Sequence, residues 1–239
     1  MTDAAQEDLV SHLRAQFAIH GDTRTFTYLS ESGRGLAEDV TSFGDLDRGA
    51  REIAAWLGSQ PDASRPVLLL FEPGVEFWRA FLGCLYAGVT AIPAPLPHDQ
   101  RSMSRVAGIL RDADSSLALT TTKLHGLLAA GIEGLGLDRA LSLVVTDDSR
   151  LADADAWTMP DVTADTVAFL QYTSGSTGDP KGVAVTHGNV VDNESTISEA
   201  LHVSADSVLV GWIPHFHDMG LIGGPVSYTH LTLPTILLV

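Results

Sequence analysis

The stretch that decides the fold runs from Val167 to Gly182 and has two parts. The first part, VAFLQY at 167–172, is an apolar run of the kind found in a strand that is buried in a parallel sheet. The second part, TSGSTGDPKG at 173–182, holds three glycines, four hydroxyl side chains and one lysine. Glycines let backbone N–H groups turn toward one point and let a ligand come close. The hydroxyls add donors and the lysine adds positive charge, so this loop is typical of a site for a polyphosphate.

The predicted phosphate contacts are the following residues: Thr173, Ser174, Gly175, Ser176, Thr177, Gly178 and Lys181. Lysine is rare in this chain, since Lys123 is the only other lysine among 14 basic residues. A Walker A loop needs Gly directly before the lysine and Ser or Thr directly after it. Pro180 and Gly182 stand at those positions, so the P-loop NTPase class is excluded. Composition alone leaves a flexible Gly/Ser surface turn as the alternative.

Short apolar strands and amphipathic helices alternate on both sides of this loop. Helices are predicted over Ala4–His20, from the Ser42/Asp45 capping pair to Leu57, and around Val75–Leu85, Val106–Leu110 and Leu124–Leu128. Strands are predicted at Thr25–Leu29, Val40–Phe43, Pro66–Phe71, Val89–Ile92, Leu117–Thr120, Leu141–Val145 and Val208–Ile213. This order predicts an α/β fold with a mostly parallel sheet and helices on both faces. We expect Asp147–Asp165, which is acidic and polar, to be a surface connection.

A second polar segment follows the last predicted strand and reads PHFHDMGL at 214–221. An imidazole there can donate to a carboxylate and so favour its entry. Two other interpretations stay open: His215, His217 and Asp218 could hold a metal ion, or the histidines could pack in the core. A third clear ligand is missing, so no metal site is predicted.

The string YTSGSTGDPKGV at 172–183 resembles the phosphate-binding signature of the adenylate-forming superfamily. That superfamily includes acyl-CoA synthetases, nonribosomal-peptide adenylation domains and fatty acyl-AMP ligases. The resemblance continues through His187 and Asn189 and covers Phe26–Gly224. It implies the N-terminal part of a ligase large domain, with ATP and Mg²⁺ as cofactors.

The pattern Pro-x-Phe-His-x-x-Gly at 214–220 resembles the acid-binding segment of the same superfamily. By that match His217, and not His215, flanks the substrate carboxylate and the α-phosphate. The resemblance therefore implies Lys181 and His217 as catalytic residues.

The branch of the family is indicated by FLGCLYAG at 81–88, IPAP at 92–95 and HDMGLIGG at 217–224, which look most like fatty acyl-AMP ligases. The implied reaction activates a fatty acid as acyl-AMP for transfer to an acyl carrier protein. Two rivals stay open: an acyl-CoA synthetase, with CoA as acceptor, and a catalytically dead module that binds nucleotide or acyl chains.

Net charge, cysteine content and the distribution of apolar residues exclude several classes of function and location. The formal charge is 14 − 30 = −16, so binding to a nucleic-acid backbone is not expected. Cys84 is the only cysteine, which fits a reducing, cytoplasmic setting. The uncharged run Ala80–Leu96 is interrupted by Pro93 and Pro95, so we expect a buried helix and strand there and no membrane span. The first eight residues lack the basic and apolar regions of a secretory signal.

The last fifteen residues break the family pattern. We expect a partial AMP-binding domain over 1–224 and a non-native tail over 225–239, because Val226–Thr235 resemble the translation of a sequencing-library adapter. A native strand is the alternative. The family's adenine-binding aromatic segment, ribose-binding aspartate, metal-binding glutamate and C-terminal lysine are not found, so we expect the 239-residue chain to be inactive by itself.

Overall fold

The structure is a computed structural model and describes residues 8–33, 35–62, 64–148, 151–172, 180–204, 207–222 and 235–238. Its helices are α1 (Leu9–His20), α2 (Phe43–Gly58), α3 (Val75–Tyr86), α4 (Gln100–Asp112), α5 (Thr122–Gly134), α6 (His187–Leu201) and α7 (Asp218–Leu221). Its strands are β1 (Thr25–Ser32), β2 (Gly35–Ser42), β3 (Val67–Leu69), β4 (Ala91–Pro93), β5 (Leu117–Thr120), β6 (Ser142–Val145), β7 (Val167–Tyr172), β8 (Gly182–Thr186), β9 (Leu209–Gly211) and β10 (Thr235–Leu238).

A six-stranded sheet in the order β6-β5-β3-β4-β7-β8 belongs to the compact unit formed by residues 49–160 and 167–185. β3 is parallel to β4 and β5, β5 is parallel to β6, and β4 is parallel to β7. Each parallel connection needs a crossover, which α3, α4 and α5 provide. The predicted mostly parallel α/β sheet is confirmed.

Helices cover both faces of this sheet, as the alternation of side chains along β7 makes clear. Leu170 and Tyr172 pack with a core cluster to which α4 and α5 contribute Ile109 and Leu128. Phe169 points the other way and meets Phe81 of α3 edge to face, with ring centroids 5.9 Å apart. Cys84, on α3, is fully buried, and burial raises the pKa of its thiol.

The second compact unit comprises residues 1–48, 161–166 and 186–239 and contains a four-stranded sheet in the order β2-β1-β10-β9. β1 and β2 form an antiparallel hairpin, whereas β10 is parallel to both of its neighbours. Helix α1 begins at the N-cap Asp8, whose carboxylate accepts the Ser11 N–H at 2.9 Å. Phe17 of α1 packs edge to face on Phe43 with centroids 5.3 Å apart.

Several predicted boundaries were wrong. The hairpin strands are longer than predicted, and Phe43 starts α2 because the Ser42 hydroxyl caps the Asp45 N–H at 3.0 Å. β9 covers only Leu209–Gly211, since the chain bends at Ile213.

Within the predicted non-native tail over 225–239, Thr235–Leu238 forms β10. The rest of the predicted tail lies outside the described residues, and its non-native origin stays a prediction that the native gene sequence beyond codon 224 would test.

The connection Asp147–Asp165 differs from the predicted surface loop, because its middle is tied to the core. A short 3-10 helix spans Ala154–Ala156, and the carbonyl oxygen of Ala154 accepts a hydrogen bond from Arg51 Nη1 at 3.1 Å. Trp157 donates its indole N–H to the carbonyl oxygen of Tyr86 at 2.7 Å. An aromatic ring that is half-buried with a satisfied polar edge holds such a segment firmly.

The uncharged run Ala80–Leu96 contains the end of α3 and all of β4, as predicted. Across the described ranges, no helix has the length and apolar character needed to cross a membrane.

Candidate functional site

Lys181 lies in the connection between β7 and β8, the last two strands in the order of the six-stranded sheet. β7 ends at Tyr172, and β8 begins at Gly182. The predicted contacts Thr173, Ser174, Gly175, Ser176, Thr177 and Gly178 lie outside the described residues. Lys181 itself is described and exposed. Because β7 is parallel to β4, the chain leaves β7 at the carboxyl edge of the sheet, where ligands of open α/β sheets bind.

The start of this segment is fixed by a partly buried hydrogen bond that the sequence did not reveal. The Tyr172 hydroxyl donates to Oδ2 of Asp112, the last residue of α4, at 2.6 Å. Burial raises the pKa of the Tyr172 phenol, and the hydrogen bond to Asp112 and its charge raise it further. The phenol therefore keeps its proton at neutral pH and serves as a donor.

The end of the segment is fixed by two close approaches to glycine. A Cβ atom on Gly182 would lie 2.9 Å from Cζ of Tyr172, so only glycine lets the chain cross the tyrosine ring at this point. A Cβ atom on Gly108 of α4 would lie 3.0 Å from Cγ of Pro180. Lys181 therefore stands between Pro180, which packs against α4, and Gly182, which packs against the last residue of β7.

The second lysine of the chain takes part in an ion pair at the ends of β3 and β5. Lys123 Nζ donates to both carboxylate oxygens of Glu72, at 2.8 and 2.6 Å. Next to it, the Thr122 N–H donates to Asp147 Oδ1 at 2.6 Å. The charge of Lys123 is therefore offset by Glu72, which fits a structural role.

The two histidines of the 214–221 segment have opposite environments. His215 is only 4% exposed, and burial lowers its pKa to about 4. His217 is exposed; its N–H donates to the carbonyl oxygen of Pro214 at 3.0 Å, and its own carbonyl accepts the Leu221 N–H at 2.7 Å. Of the two imidazoles, only that of His217 is accessible to a substrate.

His187 and Asn189, which continue the sequence pattern, have structural positions. Thr186 and Asn189 form a capping box: the Thr186 hydroxyl accepts the Asn189 N–H, and Asn189 Oδ1 accepts the Thr186 N–H, both at 3.2 Å. His187 is 1% exposed, and burial lowers its pKa. These two residues start α6 and hold it in place.

The site residues fall into two groups. Lys181 lies with Tyr172, Asp112 and Gly108 in one compact unit, and His217 lies with Pro214 in the other. Among the described residues, no group of three His, Cys, Asp or Glu side chains is placed to hold a metal ion.

Comparison with known proteins places these features in a family context. The model of the family described as "AMP-binding enzyme" matches residues 13–231. A medium-chain-fatty-acid–[acyl-carrier-protein] ligase, JamA, of Moorena producens is 41% identical over 197 residues, which is 81% of this chain and 33% of that protein. A long-chain-fatty-acid–AMP ligase, FadD32, of Mycolicibacterium smegmatis is 32% identical over 90% of this chain and 34% of its own length. The chain therefore spans about a third of the length of these curated relatives.

Solved structures give the same fold. The crystal structure of a fatty acid AMP ligase from Legionella pneumophila superimposes with a TM-score of 0.84 at 30% identity, over 98% of this chain and 40% of that one. A fatty acyl-adenylate ligase from L. pneumophila, in complex with acyl adenylate and pyrophosphate, superimposes with a TM-score of 0.85 at 30% identity and the same coverage.

Proposed function

The chain belongs to the AMP-binding enzyme family, and we propose that the protein joins a fatty acid to ATP, giving acyl-AMP and pyrophosphate. The observation that carries the proposal is the position of Lys181. It is an exposed cation at the carboxyl edge of a parallel sheet, in a sequence matching a phosphate-binding signature. The two relatives above and the L. pneumophila ligases, all named for fatty-acid activation, support the choice of acid.

Lys181 and residues 173–178 are proposed to contact the phosphates of ATP. A lysine ammonium is a compact charge with three donors on a flexible stem, so it can follow a phosphate whose position changes during the reaction. Its exposure leaves the ammonium accessible to such a ligand. The hydroxyls and backbone N–H groups of the loop would add uncharged donors.

His217 is proposed to orient the fatty-acid carboxylate. Its exposure contrasts with the burial of His215 and supports the choice between them. A carboxylate oxygen attacks the α-phosphorus of ATP, a new P–O bond forms, and the bond to pyrophosphate breaks. No covalent bond to the protein is needed, so the protein contributes positioning and stabilisation of charge.

Mg²⁺ is proposed to accompany ATP as the counter-ion of its phosphates. No step of the reaction is assigned to the ion. A cytoplasmic location is proposed because ATP is available there.

The acceptor of the acyl group is proposed to be an acyl carrier protein, which the name of the M. producens relative supports. CoA is the alternative acceptor, which is favoured by a relative from Mycobacterium tuberculosis named as a putative fatty-acid–CoA ligase, 27% identical over 93% of this chain.

Fatty-acid-dependent ATP–pyrophosphate exchange tests the proposed reaction. A full-length ligase carrying this sequence should exchange labelled pyrophosphate only when a fatty acid is present, with a panel of chain lengths defining the preference. Adding holo-acyl carrier protein or CoA then identifies the acceptor by the acyl product formed. No exchange with any fatty acid, from a protein that is folded and monodisperse, would contradict the proposal.

A further inference from the structure

Helix α4 is close to Pro180, directly before Lys181, and reaches Gly182, directly after it, through Tyr172. On the N-terminal side, Gly108 receives the ring of Pro180, because a Cβ atom there would come within 3.0 Å of its Cγ. On the C-terminal side, Gly182 crosses the ring of Tyr172, whose hydroxyl donates to Asp112. Gly108 and Asp112 are four residues apart, so they lie on the same face of α4.

The hydrogen bond between Tyr172 and Asp112 is placed where it can fix the ring. Tyr172 is mostly buried and belongs to the core cluster, so its ring has little freedom apart from that of its hydroxyl end. Asp112 is the last residue of α4 and accepts the hydroxyl at 2.6 Å, a distance typical of a hydrogen bond to a carboxylate. A shift of the ring toward Gly182 would be passed to the backbone there, since even a Cβ atom on Gly182 would lie only 2.9 Å from Cζ of the ring.

We propose that Gly108 and Asp112 of α4 are positioning residues for Lys181. Asp112 acts through Tyr172 and Gly182, whereas Gly108 acts through Pro180. Neither residue touches the substrate; they set the direction from which the lysine stem leaves the sheet edge. The consequence for catalysis rests on the proposed phosphate role of Lys181, but the positioning itself does not.

Limited digestion of the 239-residue chain with lysyl endopeptidase tests the positioning without any activity. Lysyl endopeptidase cleaves after lysine and not after arginine, so the Lys181–Gly182 bond reports local release of this segment, and the Lys123–Leu124 bond in α5 reports wider unfolding. Tyr172→Phe keeps the ring and removes only the hydroxyl, and Asp112→Asn keeps the shape and removes the charge. Tyr172→Phe should raise the initial rate of cleavage after Lys181 by about 2- to 10-fold, the factor that corresponds to one lost hydrogen bond. Asp112→Asn should raise it by a smaller factor, because the amide oxygen can still accept the hydroxyl but no longer carries the charge.

Asp114→Asn is the matched control. Asp114 lies two residues beyond Asp112, is exposed and faces Arg65 at 3.7 Å, so its replacement should leave the cleavage rate after Lys181 unchanged. Gly108→Ala should increase that rate by pushing Pro180 outward. The positioning role would be overturned if Tyr172→Phe and Asp112→Asn behaved like Asp114→Asn, or if cleavage after Lys123 rose in parallel.

A double-variant comparison in the full-length ligase tests the catalytic consequence. Tyr172→Phe and Asp112→Asn should each lower kcat/KM for ATP, and the double variant should lose no more than the larger single loss because both substitutions act on the same hydrogen bond. If the losses in kcat/KM of the two single variants added up in the double variant, the proposal that Asp112 acts through Tyr172 would be overturned.

Digestion of the wild-type chain in the presence of pyrophosphate tests the phosphate role of Lys181 separately from its positioning by α4. If pyrophosphate slows cleavage after Lys181, the phosphate role is supported. If it does not, while the variants still speed up cleavage, the phosphate role fails and the positioning of Lys181 by α4 stands.

Discussion

Gly220 packs so closely against Pro214 that a Cβ atom on Gly220 would lie 2.2 Å from the Pro214 carbonyl oxygen. The same oxygen accepts the N–H of His217 at 3.0 Å. Both sides of this contact are backbone, so no side-chain rotation can relieve an added methyl group. The glycine of the Pro-x-Phe-His-x-x-Gly pattern is therefore explained by packing: it lets α7 close on the turn that presents His217.

Gly220→Ala should accordingly distort this turn. We expect a loss of about 1–3 kcal/mol in the free energy of unfolding, the usual cost of overpacking, together with a loss of adenylation. Urea denaturation measures the first effect. Gly126→Ala is the control, because Gly126 is exposed in the middle of α5 with free space around it and should gain roughly 0.5–1 kcal/mol. Equal effects of the two substitutions would contradict the packing role.

Lys181→Ala should remove a charge-assisted contact with the nucleotide. A hydrogen bond to a charged group contributes ~1.5–3 kcal/mol, so pyrophosphate exchange should fall about 10- to 200-fold. Lys123→Ala is the matched lysine control, since Lys123 pairs with Glu72 on the surface and should have little effect. An unchanged exchange rate in Lys181→Ala would refute the assignment of this lysine.

His217→Ala should impair adenylation far more than it impairs folding, because the side chain is exposed. His215→Ala should do the reverse, since His215 is buried and its loss leaves a cavity. The two variants are compared by exchange rate and by thermal unfolding. The assignment fails if both lose activity equally at equal stability, and release of tightly bound zinc from both would favour the metal interpretation.

The burial of His215 also predicts a dependence of stability on pH. Its folded pKa of about 4 lies below the ordinary value of 6.5, so the unfolded chain binds the proton more tightly. Stability should therefore fall as the pH drops from about 6.5 toward 4, by up to about 3 kcal/mol. His215→Gln should flatten this part of the profile in urea titrations. Identical profiles for His215→Gln and wild type would contradict the prediction.

The capping box at the start of α6 makes Asn189 a structural residue. Thr186→Ala and Asn189→Ala should each destabilise the chain by roughly 0.5–2 kcal/mol, through loss of a cap. Thr186→Ser should keep most of that stability, because serine offers the same oxygen. A large loss of ATP affinity in Asn189→Ala, without loss of stability, would instead indicate a ligand contact.

The sequence predicted most of the parallel sheet because its strands and helices have strong, local patterns. β5 and β7 begin and end where the apolar runs do, and α3 follows its apolar stripe. The predicted ends of strands were wrong where side-chain contacts decide them. Phe43 is apolar and was predicted to end a strand, but the Ser42 cap makes it the first residue of α2. The tie between Trp157 and Tyr86 also joins residues 71 positions apart, which no local pattern reveals.

For the site, the sequence by itself determined which residues are predicted to carry the chemistry. Glycine, hydroxyl and lysine spacing predicts a phosphate-binding loop at 173–182, and the Pro-x-Phe-His-x-x-Gly pattern predicts a role for His217, because these patterns depend on residue type and order along the chain. Only the tertiary structure decided that His215 is buried while His217 is exposed, and that Asp112 holds Tyr172 beside Gly182. Burial and long-range hydrogen bonds depend on which distant segments meet, and that is a property of the folded chain rather than of any one stretch of it.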